Sequence, residues 1–235
     1  MKITKTIKSR LNTTDFENLP FGTVFSDHML LCNFQDGKWQ EPEILPYGPI
    51  PMNPGAKVLH YGQAIFEGMK AFKNSNNELY LFRKEDYFTR INKSAVRLSI
   101  PELPRSIFMN GLNELLSLDS DWCKSEDGYS LYVRPFIFAS EEGIKASASN
   151  EYTFMIVTSP STNYYAGEMN LVVEEHYTRA SKGGVGFAKA SGNYAASFYP
   201  TKKANAKGFQ QVIWTDSIEN KYIYKHLSNL PNPNG

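Results

Sequence analysis

Ala180-Ser181-Lys182-Gly183-Gly184-Val185-Gly186-Phe187-Ala188-Lys189-Ala190-Ser191-Gly192-Asn193-Tyr194-Ala195 sets one lysine, Lys189, among small residues and then opens a helix. Glycines at 183, 184 and 186 permit backbone angles and close approaches that bulkier residues forbid. Ser191, Gly192 or Asn193 can cap a helix running toward Lys207. A lysine in that setting is expected to point into a site. Spacing alone leaves equally open a glycine-rich loop with a solvated lysine.

Two phosphate-binding readings of the stretch fail on spacing. Gly184-Val185-Gly186 is followed three positions later by Lys189, where a dinucleotide fingerprint needs glycine. No glycine-led hexad in the chain closes on glycine-lysine-serine or glycine-lysine-threonine, so there is no P-loop. A lysine nucleophile remains. A partly desolvated amine loses some preference for its charged form and can condense with an aldehyde, the route to a Schiff base with pyridoxal phosphate.

Outward from that stretch, the 235 residues suffice for one large or two modest domains. Twenty-five basic side chains oppose 24 acidic ones, a net charge of +1, so nothing draws the chain to nucleic acid or a membrane surface. Hydrophobic content of 41% with a mean hydropathy of −0.42 describes a soluble globular chain without a spanning segment. Residues 1–20 contain no apolar run of the kind a signal peptide needs, and the expected location is cytoplasmic. Cys32 and Cys123 are too few for a disulfide framework and are read as buried thiols. Histidines 28, 60, 176 and 226 are scattered, and no metal site is expected.

The first part of the chain reads as sheet-rich. Residues 27–34 form an apolar strand, 35–37 a turn, and prolines 42, 46, 49, 51 and 54 an extended crossing segment. Residues 60–72 lead through the turn 74–77 into a strand at 78–82, a hairpin with a polar tip. Lys70 within it is a rival reactive amine, ranked below Lys189 because its flanks read as a strand with an outward basic residue. Helical periodicity covers 84–98, with Tyr87, Ile91, Ala95 and Leu98 on one face, and 105–118. Arg83, Arg90 and Arg97 recur every seven residues along one side of the first helix, either as a solvated row or with one guanidinium turned inward to a phosphate. In the strand 128–139, Tyr132 and Arg134 share one face, which is either a polar pocket floor or an outward sheet edge. A loop at 141–150 precedes a strand at 151–158, and Ser159-Pro160-Ser161-Thr162-Asn163 looks like a linker. Beyond it come a strand at 169–174, a helix at 191–207 broken at Pro200, and a strand at 210–214, the order of an α/β unit. The expected organisation is a small α+β domain over 1–158, a linker over 159–170 and part of a larger α/β domain over 171–235.

Taken together, Phe21-Gly22-Thr23-Val24-Phe25-Ser26-Asp27-His28-Met29, residues 60–72, Ser130-Leu131-Tyr132-Val133-Arg134-Pro135 and residues 183–194 resemble the branched-chain amino acid aminotransferases. These are class-IV, fold-type-IV enzymes that use pyridoxal 5'-phosphate. The resemblance runs from about Phe21 to Ile223, with four motifs in the family's order. It implies that Lys189 is the Schiff-base lysine, that Arg90 binds the cofactor phosphate, and that Tyr194 lies beside the ring oxygen. Tyr61, Phe66, Tyr132 and Arg134 would line the substrate side, with Phe21 completing an apolar cage. Ile144 would occupy the loop that reaches the pocket of a second subunit, so the implied working form is a homodimer. The implied reaction is a ping-pong exchange of the amino group of leucine, isoleucine or valine with 2-oxoglutarate, giving glutamate and a branched 2-oxo acid. Other class-IV enzymes, a D-amino-acid transaminase or an aminodeoxychorismate lyase, are the alternatives within the fold.

The resemblance ends abruptly. A glutamate expected next after Ile223 to meet the pyridine nitrogen is replaced by Tyr224, and residues 224–235 carry turn formers and no core pattern. This reads as a truncated or frame-shifted copy lacking the turns that hold the cofactor phosphate at helix N-termini. Two expectations follow. Either the chain is a transaminase by its site chemistry, or it is a non-catalytic remnant that at most binds or associates through its N-terminal domain; exposed strand edges, poor solubility and weak or no activity are expected of this chain alone.

Overall fold

The computed structural model describes residues 1–162 and 168–226. It is built on two sheets, and the larger is organised by β2 (His28–Gln35), β8 (Ser130–Ala139) and β9 (Tyr152–Ser161). These three lie side by side and antiparallel, with β9 in the middle: Met29 pairs with Val157, and Ala139 with Tyr152. Around them lie the short strands β1 (Lys2–Ile3), β3 (Lys38–Trp39), β4 (Glu43–Pro46), β5 (Ala64–Phe66), β6 (Met69–Lys73) and β7 (Leu79–Leu81). The strand order is β1-β4-β2-β9-β8-β6-β7, with β3 joined to β2 and β5 to β8.

Alternation along β8 divides the sheet into two faces. Leu131, Val133 and Ile137 are fully buried. They join Leu30, Cys32, Ile44, Phe154 and Ile156 in the main core. Helices α2 (Lys84–Arg97) and α3 (Arg105–Leu118) cover that side, contributing Ile91, Ala95, Phe108, Leu112, Leu115 and Leu116. Gly111 of α3 is required by this packing, since a Cβ there would lie 2.8 Å from a Leu30 methyl. Tyr132, Arg134 and Phe136 occupy the alternate positions and are half-buried. Cys32 and Cys123 are buried free thiols, and burial pushes the Cys32 thiol up to about 11.

The smaller sheet contains β10 (Leu171–Glu174), β11 (Gln211–Thr215) and β12 (Ile223–His226), with α4 (Ser191–Asn205) before β11. β10 and β11 are parallel, and α4 supplies the crossover that a parallel pair needs. Ala204 of α4 packs with Val212 and Trp214 of β11.

Several expectations are corrected. His60 and Tyr61 lie in a helix, α1 (Lys57–Tyr61), because Gly62 at φ +61 ends it and turns the chain into β5. The hairpin therefore begins only at β6. Ser159, Pro160 and Ser161, read as linker, are the last residues of β9 and pair with Tyr132, Leu131 and Ser130. Pro160 is tolerated because β9 has passed the last register pair with β2 and has a ladder on one side only. The expected linker thus starts inside a strand, and its residues 163–167 lie outside the described residues. Helix α4 continues through Pro200, which is buried, and the turn beyond it is held by Ala204 against β11. Of the tail read as patternless, residues up to 226 belong to β12. Residues 227–235 lie outside the described residues.

Among the described residues no helix is long and apolar enough to cross a membrane, and no group of histidine, cysteine and carboxylate side chains could hold a metal ion. Leu112 is fully buried between α3 and the sheet. Leu112→Ala should therefore destabilise the fold by about 2–5 kcal/mol, read as a lower urea midpoint at an unchanged slope.

Candidate active site

Lys189 is fixed by its own main chain before its side chain is considered. Phe66 at the end of β5 donates its N–H to the Lys189 carbonyl at 3.0 Å. The Lys189 N–H donates to Ser94 Oγ of α2 at 2.9 Å, and that hydroxyl in turn donates to the Arg90 carbonyl at 3.1 Å. Ala190 forms a bridge with Ile65 and is the residue that precedes α4.

The glycine-rich segment ahead of it is tied down from several sides. Asn193 Nδ2 donates to the carbonyls of Val185 and Ala188, both at 2.9 Å. Asn193 therefore holds the loop instead of capping the helix as expected, and α4 starts without a side-chain cap bond. Arg179 Nη2 reaches the Gly186 carbonyl at 3.2 Å, and Arg97 Nη2 the Gly183 carbonyl at 3.3 Å. At Gly186 a Cβ would lie 2.2 Å from the Ala180 methyl, so only glycine fits.

From this anchor the Lys189 side chain enters an aromatic corner. Its Nζ donates to Tyr194 Oη at 2.7 Å and stands 4.4 Å from the Phe66 ring centroid. The Phe66 and Tyr194 rings are themselves 4.7 Å apart. The Arg134 guanidinium lies 4.6 Å from the Phe66 centroid, and its Nη2 donates to Tyr132 Oη at 2.8 Å. Phe21 meets Tyr132 edge-on at 5.0 Å. Lys189, Tyr194, Phe66, Arg134, Tyr132 and Phe21 are thus linked by successive contacts.

Burial pushes the Lys189 amine down to about 8, and the charges of Arg90, Arg134 and Arg179 push the same way, while Glu67 opposes them. Arg90 offers its Nε to Glu67 Oε1 at 2.6 Å and its Nη2 to the second carboxylate oxygen. Its Nη1 makes no hydrogen bond among the described residues, on a side chain 51% exposed. Arg134 Nε is buried without a hydrogen-bond partner. Lysine amine, free guanidinium edge and orphaned guanidinium donor together make a corner suited to an anionic ligand bearing a carbonyl.

Of the arginine row, Arg83 pairs with Asp86, Arg90 enters the corner and Arg97 holds the loop. Lys70 pairs across the strands with Tyr132, and burial lowers its amine's pKa as well. Tyr61 and Ile144 are placed differently. Tyr61 Oη donates to the Ile144 carbonyl, and among the described residues no hydrogen bond or ring contact joins either to the Lys189 corner. The loop that carries Ile144 is held by Lys57, a buried lysine whose Nζ reaches Glu141 at 3.0 Å, Ser147 Oγ at 3.1 Å and the Ala148 carbonyl at 3.2 Å. Sequence reasoning missed Glu67. The available signal was a carboxylate inside an aromatic, glycine-bearing strand segment, where an acid is costly to bury unless paired.

Two measurements probe this geometry. A Cβ at Gly68 would lie 2.0 Å from Tyr132 Oη and 2.9 Å from its ring carbon. Gly68→Ala should displace Tyr132 from Arg134 and destabilise by about 1–3 kcal/mol, with partial recovery in the Gly68→Ala, Tyr132→Phe double variant. Lys189 should be modified by an amine reagent with a midpoint near pH 8, well below the 10.5 of an ordinary lysine. Because the folded value is the lower one, the unfolded chain binds more protons between these values. The destabilisation due to this amine is therefore complete below about pH 8 and is relieved as pH rises toward 10.5.

The chain matches the family described as amino-transferase class IV over residues 64–220. It is 44% identical over 214 residues to branched-chain-amino-acid transaminase 1 of Bacillus subtilis (strain 168), covering 89% of this chain and 60% of that protein. It is 44% identical over 224 residues to a probable branched-chain-amino-acid aminotransferase of Staphylococcus aureus (strain N315), covering 93% of this chain and 62% of that protein. The chain thus spans about 60% of the length of these curated relatives. Among solved structures, the branched-chain amino acid aminotransferase of Escherichia coli superposes with a TM-score of 0.65 at 22% identity, over 83% of this chain and 62% of that one. The branched-chain aminotransferase of Thermoproteus uzoniensis, solved with norvaline, gives a TM-score of 0.64 at 22% identity, over 81% and 60%. With the mixed α/β architecture of these fold-type-IV structures and a family match through both β5 and the Lys189 segment, the chain belongs to the class-IV aminotransferases.

Proposed function

We propose that this chain carries the lysine site of a pyridoxal 5'-phosphate-dependent branched-chain amino acid transaminase, exchanging the amino group of leucine, isoleucine or valine with 2-oxoglutarate. The observation that carries the reading is the Lys189 amine, lowered to about 8, bonded to Tyr194 and set beside Arg90 and Arg134. The relatives' names support the substrate class.

The residues present fit the cofactor: an amine that burial makes easier to deprotonate than an ordinary lysine, a phenol, and a guanidinium with an unbonded edge. When bound, pyridoxal phosphate supplies an aldehyde for amines and a ring that stabilises a carbanion. Arg90 would hold its phosphate, and the Tyr194 hydroxyl, already bonded to Lys189 Nζ, would be a donor to the cofactor on the lysine side. Lys189 Nζ, once free, accepts the proton leaving the substrate Cα and returns it later in the exchange. Arg134 and Tyr132 hold a substrate carboxylate, while Phe21 and Phe66 shield the apolar side chain from water.

Tyr61 and Ile144 form the rim, and Ile144, 74% exposed, is where a second copy of the chain would complete the pocket in a homodimer. Residues 1–158, extended by the end of β9, form the small domain, and residues from 171 onward form part of the larger one. The working location is the cytoplasm, and the partners are small molecules.

Adding pyridoxal phosphate to the purified chain should produce a visible absorption band that is lost in Lys189→Ala. Leucine with 2-oxoglutarate should then yield glutamate. A band of equal strength in Lys189→Ala, or none in the unaltered chain, would overturn the cofactor assignment. Turnover of D-alanine in place of leucine would overturn the substrate class.

A further inference from the structure

We propose that Glu67 is a positioning residue of this site: its buried carboxylate clamps the Arg90 guanidinium beside the Lys189 amine and sets where both cations stand. The proposal deepens the transaminase reading and rests on Lys189 being its reactive amine.

Glu67 directly follows Phe66 of β5 and is 0% exposed. Its own N–H donates to the Pro135 carbonyl of β8 at 2.7 Å, so its backbone is part of the sheet that floors the site. Oε1 accepts Arg90 Nε at 2.6 Å. Oε2 accepts Arg90 Nη2 and the Gly68 N–H, the latter at 3.2 Å. Three donors hold the carboxylate, and the two from Arg90 make a fork that fixes the plane of the guanidinium. That plane determines where the remaining Nη1 edge faces. A lysine in place of Arg90 could not be oriented this way.

The arrangement also places one negative charge among several positive ones. Facing Lys189 are Glu67 from the end of β5, Arg90 from α2, Arg134 from β8, Arg179 ahead of the glycine-rich segment and Tyr194 from α4. Arg90, Arg134 and Arg179 all favour the neutral amine, and Glu67 is the acidic group that opposes them. An acid that filled space alone would carry the cost of burial with no return. Here it gives Arg90 both a counter-charge and an orientation, and it favours the charged form of Lys189.

The test is the pH dependence of Lys189 acetylation in the purified chain without cofactor, followed by mass spectrometry. Glu67→Gln keeps the shape and removes the charge, and it should lower the midpoint from about 8 by roughly one unit. Arg90→Gln should raise the midpoint, and the Glu67→Gln, Arg90→Gln double variant should return toward the unaltered value. A residue that merely supported the fold would not move the midpoint in opposite directions. An unchanged or raised midpoint in folded Glu67→Gln would overturn the proposal. Should that variant fail to fold, the direction of the Arg90→Gln shift decides, and a fall or no change there would overturn it. Opposite shifts without a pyridoxal phosphate band would sink the transaminase reading alone, while a band with unshifted midpoints would sink only the role of Glu67.

Discussion

The main chain of Lys189 ties the two parts of the described chain together. The Lys189 carbonyl accepts from Phe66 on the large sheet, and the Lys189 N–H donates to Ser94 on the helix that covers that sheet's other side. Both bonds are made by main-chain atoms of the residue whose side chain matters most. The amine is thus aimed by the backbone, and only its side-chain torsions remain to be set by Phe66 and Tyr194. The glycines and Asn193 serve the same end, allowing the segment to approach β5 closely enough for those bonds to form.

Burial and charge act on this amine in the same direction. Desolvation is the larger cause of its lowered affinity for a proton, and three guanidinium groups add to it. Arginine is well suited to such company because it stays charged where a lysine would release its proton. The corner therefore holds permanent cations for an anionic ligand and one adjustable amine for chemistry. Glu67 offsets part of the accumulated positive charge.

Much of this was legible in the sequence, and the reasons are particular. The period of 3.6 identified α2 and α3 because each buries a single stripe, and alternation in β8 separated Leu131 and Val133 from Tyr132 and Arg134. Spacing singled out Lys189 but left a solvated loop equally open, and Tyr194 entered only through the family resemblance. What failed were judgements based on local breakers. Pro160 was read as linker and Pro200 as a helix break, yet one sits where β9 has lost a partner strand and the other in a helix held from its far side by Ala204. Glu67 was missed because its meaning lies entirely in Arg90, which is distant in sequence. The contact between Tyr61 and Ile144 likewise joins the end of α1 to a distant loop, and no pattern within either one announces it.

The position of β9 between β2 and β8 bears on how the chain reaches its native state. β2 can zip with β3 and β4 soon after synthesis, but its other edge waits for Tyr152 through Val157. A sheet closed by so distant a segment has high contact order, and such topologies fold slowly. Meanwhile an apolar edge stands open to association with other chains. Helix α3, made before β9 and packed on β2 through Gly111 and Leu30, gives the nascent chain an early cover for one face but none for that edge. The ribosome must release the whole of β9 before the central ladder can close.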